Sequence, residues 1–73
     1  MAEIPFKSDI AGRIISISPA QGDKVQQGDE VAVIESMKME IPLTAEVGGI
    51  VRAVLVKVDD VIHEGQALLI LDT

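Results

Sequence analysis

The chain predicts an all-β fold, a flattened barrel or sandwich made of two quasi-twofold-related halves of four short strands each. Three observations carry this. Apolar, mostly β-branched residues come in short runs, "RIISI", "EVAVI", "IVRAVLVKV" and "ALLIL", and no window sustains the i, i+3, i+4, i+7 spacing of a helix. Gly and Asp punctuate the runs at "AG", "QGD", "QQGDE", "GG", "DD" and "EGQ". And the punctuation repeats at a spacing of 37 residues, from Gly12 to Gly49, Asp23 to Asp60 and Gly28 to Gly65.

The elements follow in order. "RIISI" begins after Gly12 and ends before "SPAQGD"; Val25 is a single apolar position between two turn clusters. "EVAVI" then runs up to Glu35, and apolar sequence resumes at Met39. In the second half each position has a partner. Ile14 matches Val51, Ile17 matches Val54 and Val25 matches Ile62, while Val31, Val33 and Ile34 match Leu68, Ile70 and Leu71. Gly12, Gly28, Gly49 and Gly65 are expected at turns, and Asp59 stands where the first repeat has Gly22, because Asp tolerates left-handed backbone better than most residues. Neither half can bury its apolar face alone, so the two are expected to pack face to face. The segment after Glu35 links them, and both termini should lie away from its tip.

The 73 residues make one domain, 1–73, with no room for a second core. A chain this short buries only about 60% of its unfolded surface, and with no cysteine it has neither disulfide nor thiolate metal site. The net charge is -6, the six cations are scattered and Phe6 is the one aromatic residue, which argues against nucleic acid. "MAEIPFKSD" has no signal-peptide pattern, and the apolar runs are too short for a membrane span. A soluble, cytoplasmic, monomeric domain is expected.

The linking segment "VIESMKMEIP" is the unusual one. A turn must form at Met37, Lys38 and Met39, yet from Glu30 to Ile41 there is no Gly, Asn, Asp or Pro, the residues that tight hairpins use. A lone exposed lysine is ordinarily an inert surface residue. Here it sits in a costly turn between two methionines, and local rules broken without structural gain mark functional sites. Methionine is also flexible and polarizable, suited to touching several partners in turn.

The segment "ESMKMEIPLTAEVGGIV" closely resembles the attachment segment of biotin carrier domains, and "GDKVQQGDEVAVIE" and "VLVKVDDVIHEGQALLIL" resemble that family's two half-repeats. By length the chain looks most like the small biotin/lipoyl attachment proteins. The resemblance implies that Lys38, on the hairpin linking the halves, carries covalent biotin, and that Glu35, Ser36, Met37, Met39 and Glu40 are read by the ligase and other partners. It implies a non-catalytic carrier. A biotin ligase would modify Lys38, which would then shuttle carboxybiotin from a biotin carboxylase to a carboxyltransferase, as in the acyl-CoA carboxylases of fatty acid metabolism. An exposed lysine amine is almost wholly protonated at neutral pH, and nothing in "ESMKME" activates it, so activation must come from another protein. "IPFKSDIAGRI" leads straight into "ISPAQGDKV", leaving no segment for the protruding loop of some carboxylase carriers.

Two alternatives stand beside this reading. Glu35-Ser36 is similar to the flank of lipoyl domains, so a lipoyl carrier for an oxo-acid dehydrogenase or glycine cleavage system fits the shape, though Met37 and Met39 argue against it. An unmodified barrel used only for protein–protein interaction is the other. His63 stands alone without metal-ligand spacing. Asp29-Glu30, Asp59-Asp60 and Glu64 fall at matching turns, where they shape backbone, and Ser16, Ser18 and Ser36 have no neighbouring base.

Overall fold

A computed structural model describes residues 2–73, which form strands β1 (Glu3–Lys7), β2 (Gly12–Ile17), β3 (Lys24–Val25), β4 (Glu30–Ser36), β5 (Met39–Thr44), β6 (Gly49–Val54), β7 (Val61–Ile62) and β8 (Ala67–Asp72). Two four-stranded antiparallel sheets result, one in the order β1-β8-β6-β3 and the other β5-β4-β2-β7. This is the expected all-β sandwich, and no helix crosses a membrane length among the described residues. A shift of 37 residues maps β1 onto β5, β2 onto β6, β3 onto β7 and β4 onto β8, and so maps one sheet's strand order onto the other's.

The units that pack face to face are therefore the sheets and not the consecutive halves of the chain. Each sheet draws two strands from each half. The reason is edge closure: β2 pairs with β4 on one side and with β7 of the other half on its second side. The strands left at the β1 and β5 edges carry Pro5 and Pro42, themselves 37 residues apart, and proline blocks further strand addition.

Side-chain alternation places one face of each strand inward, as in β1, where Ile4 and Phe6 turn in and Glu3, Pro5 and Lys7 turn out. Four bulges interrupt it, again in twofold pairs: at Ile15 and Arg52, and at Val31 and Leu68. The extra residue in a bulge breaks the period of two and increases local twist, which is why Val31 and Ala32 are both buried, as are Leu68 and Leu69. The core is Ile14, Val25, Val31, Ala32, Ile34, Leu43, Ala45, Val51, Ile62, Leu68, Leu69 and Leu71. Ser8 is its one buried polar side chain among the described residues; its hydroxyl donates to the Ile10 carbonyl at 2.5 Å and accepts from the Ile10 N–H at 3.2 Å.

Four turns share one design. Gly22, Gly28, Asp59 and Gly65 hold φ of 92°, 91°, 78° and 85° at the third turn position, the backbone of a type II turn. The closing side chain accepts from the N–H of the first residue: Asp23 from Ala20, Asp29 from Gln26, Asp60 from Lys57 and Gln66 from His63, each at 2.9 Å. Gly12 and Gly49, expected at turns, instead open β2 and β6. Their requirement is space. A Cβ on Gly12 would lie 2.6 Å from Ile34 Cγ2 and against the Glu35 carbonyl, and one on Gly49 would lie 2.6 Å from the Asp72 carbonyl oxygen. The run "IVRAVLVKV" forms strand only to Val54; Leu55 N–H still donates to Leu68, and the chain then leaves the sheet for the Lys57–Asp60 turn.

Candidate functional site

The β4–β5 connection is a hairpin with a two-residue loop. Ser36 pairs with Met39 across its mouth, then Glu35 with Glu40, Ile34 with Ile41 and Val33 with Pro42. The loop is Met37-Lys38, and both residues lie in the left-handed region, at φ 53° and 65°. That is the type I′ geometry whose twist matches a hairpin, and it is ordinarily occupied by Asn-Gly. The sequence lacks those residues and adopts the conformation nonetheless, at a cost of about 1–2 kcal/mol per residue. The register of β4 on β5, set by Ile34 and Leu43 turning into the core, leaves two residues to reverse the chain.

The tip stands clear of the body. Met37 is 92% exposed and Met39 64% exposed, and Lys38 is exposed between them. Met39 is already the first residue of β5, so the turn proper is two residues rather than three. The molecule measures 37 × 19 × 18 Å. Gly12 at the hairpin end pairs with Ile62, and the following turn starts β8 there, so β8 finishes at the other end. At that far end Thr73 N–H donates to the Ala2 carbonyl at 3.0 Å, and the termini lie opposite the lysine.

Around the lysine the outer sheet face is charged. Glu35 and Glu40 are direct cross-strand neighbours, and Arg13 faces Glu35 from β2. Arg13 Nη2 donates to Glu35 Oε1 at 2.8 Å, and its Nη1 donates to Asp59 Oδ1 at 2.7 Å. The hydrogen bond and charge of Glu35, with a smaller share from Asp59, raise the Arg13 pKa above its already high value. Sequence reasoning missed Arg13, since 22 residues separate it from Glu35 and 46 from Asp59; the available signal was its place one residue before buried Ile14, on the outward face of a strand. Ser36 is half-buried and Glu40 exposed.

The other residues weighed for chemistry do not converge here. His63, Asp29 and Asp60 serve turns. No group of His, Cys, Asp and Glu among the described residues could hold a metal ion. Three surface depressions, of about 500, 420 and 400 Å³, have none of Met37, Lys38 and Met39 in their walls. The arrangement offers an exposed primary amine at the tip of a two-residue hairpin.

The family described as "Biotin-requiring enzyme", the biotin/lipoyl family, matches residues 4–71. The chain is 45% identical over 60 residues to the biotin/lipoyl attachment protein of Bacillus subtilis, covering 82% of each chain. It is 39% identical over 71 residues to the biotinylated protein TB7.3 homolog of Mycobacterium leprae, covering 97% of this chain and 99% of that one. Among solved structures it superposes on a single-chain, multi-domain long-chain acyl-CoA carboxylase with a TM-score of 0.86 and 29% identity, over 93% of this chain and 7% of that one. With the family match spanning residues 4–71 and these identities over most of its length, the chain belongs to the biotin/lipoyl family.

Proposed function

We propose that this chain is a non-catalytic biotin carrier and that Lys38 is the residue that holds the cofactor. One observation carries the reading: in a chain of this family, an exposed lysine occupies the second position of a two-residue hairpin whose backbone is left-handed at both residues, at the end of the molecule remote from the termini. Backbone strain concentrates at sites where geometry serves function.

The residues present fit the group. A primary amine is what forms an amide with the carboxyl group of biotin, and here it is exposed and without a neighbouring base, so a separate ligase must activate the acid. Biotin bound there would supply a ring that carries a carboxyl group between active sites. The chain's own residues do three things. The sandwich holds the hairpin rigid, the remote termini leave the lysine end free to enter a partner, and Met37 and Met39 provide adaptable apolar contacts at the tip. Tethering raises the effective concentration of the group at each site that the arm can reach. The partners on this reading are a biotin ligase, a biotin carboxylase and a carboxyltransferase. Similarity to a long-chain acyl-CoA carboxylase supports an acyl-CoA as carboxyl acceptor.

Intact mass of the protein from its native host, with fragmentation across Val33–Pro42, tests this. A biotinyl increment on Lys38 is expected, and Lys38→Arg should abolish it while leaving the melting temperature unchanged. A lipoyl increment would overturn the cofactor assignment, and unmodified Lys38 in a host with active ligase would overturn the carrier role.

A further inference from the structure

Two carboxylates, Glu35 and Glu40, lie within three residues of Lys38 and directly opposite one another across the hairpin. Either could fold an ion pair onto a lysine at the turn. Yet among the described residues no lysine is in an ion pair, and Glu35 is held instead by Arg13 at 2.8 Å. Arg13 is itself fixed from its other side by Asp59, at 2.7 Å, in the turn before β7. The guanidinium thus joins the base of the hairpin to a neighbouring turn, and its planar fork suits two separate carboxylates.

The twofold-related sheet shows that this placement is not imposed by the fold. The position 37 residues after Arg13 is Ile50, 44% exposed, while the acidic mate of Glu35, Asp72, is met by Arg52, which sits at the bulge. Arg52 lies 3.3 Å from Asp72 and 2.7 Å from Glu3. At the lysine end the arginine lies in direct cross-strand register with the glutamate, and the contact is shorter.

We propose that Arg13 is a positioning residue for the carrier lysine: by holding Glu35 on the outer sheet face it keeps that carboxylate from pairing with Lys38 and leaves the arm free for modification. This deepens the assignment of Lys38 as attachment site and rests on it. Without Arg13, Glu35 faces only the like charge of Glu40, and pairing with Lys38 becomes its local alternative.

Competitive acetylation with acetic anhydride at pH 8 tests this on the whole protein, with Lys7, Lys24 and Lys57 as internal standards. Arg13→Gln should slow acetylation of Lys38 relative to the standards by about two- to fivefold, the span an exposed ion pair supports. Arg13→Lys should retain most of the rate, and Arg13→Gln with Glu35→Gln should restore it. Glu35→Gln alone should change nothing, because that carboxylate is already held; this variant keeps the test decisive if Arg13→Gln fails to fold. Unchanged Lys38 reactivity in Arg13→Gln, a double variant that stays slow, or a several-fold gain in Glu35→Gln would each overturn the proposal. A bacterial biotin ligase with biotin and ATP should modify Arg13→Lys faster than Arg13→Gln, as acetylation does. If it modifies none, including the wild type, the carrier assignment fails, whereas the acetylation ranking judges Arg13 by itself.

Discussion

Met37 and Lys38 hold left-handed backbone with side chains that gain nothing from it: Met37 is 92% exposed and has no packing to offset its conformation. Asparagine at the same position fits the type I′ turn. Met37→Asn should therefore raise stability by about 0.5–1 kcal/mol, the part of the left-handed penalty that asparagine avoids. In a domain this size that corresponds to a rise in Tm of several degrees, checked by thermal denaturation. The same variant should slow modification of Lys38 by a ligase, because it removes one of the two apolar contacts at the tip. A more stable protein that is a poorer substrate is the signature of a turn retained for recognition. Were stability to fall, the backbone would be relieved in a way the angles do not show.

The strand pairs are where glycine matters in two distinct ways. Gly28 and Gly65 supply positive φ in open space, with no atom within 4 Å of an added Cβ, while Gly12 and Gly49 supply room for the backbone of the adjacent strand. Gly12→Ala pushes into Ile34 and the Glu35 carbonyl, directly under the lysine hairpin. It should cost about 1–3 kcal/mol, as overpacking does, and Gly49→Ala, pressed against Asp72, should cost a similar amount in urea denaturation. The two differ in reach. Only the Gly12 variant displaces the hairpin base, so only it should also alter the rate at which Lys38 is modified.

Across the whole molecule the interlocking of halves governs cooperativity. Each sheet takes β-strands from both halves, so residues 1–37 or 38–73 alone leave every sheet half-built. Separately synthesised halves should be unfolded by circular dichroism, and an equimolar mixture should recover β structure if the fragments associate. The twofold also makes the termini the mate of the hairpin: Thr73 and Ala2 stand to each other as Ser36 and Met39 do, and they exchange backbone hydrogen bonds of 3.0 and 3.3 Å. Joining Thr73 to Ala2 through Asn-Gly and opening the chain after Gln21, in an exposed turn, should give a folded circular permutant with Lys38 still exposed. Loss of the fold in that permutant would show that the chain ends contribute more than their hydrogen bonds.

Strand class, the 37-residue repeat, most of the core and the odd hairpin were all readable in the chain, because each depends on residues near one another. The repeat pairs Ile14 with Val51 and Ile34 with Leu71, all four of them in the core, and the absence of Gly and Asn between Glu30 and Ile41 marks the turn as strained. Glu35, Ser36 and Glu40 beside it are implied only by the resemblance of the segment to the family's attachment segment. What local pattern could not supply is which strand neighbours which. β2 lies beside β7, Arg13 pairing with Val61 across 48 residues of chain, for no reason visible in either segment by itself. Bulges likewise hide from alternation, so the double burial of Val31-Ala32 and Leu68-Leu69 emerges only in three dimensions. Arg13 meets Glu35 and Asp59 through that same assembly. Side-chain periodicity is a property of one strand, whereas register and ion pairing across a sheet are settled by the burial of all eight together.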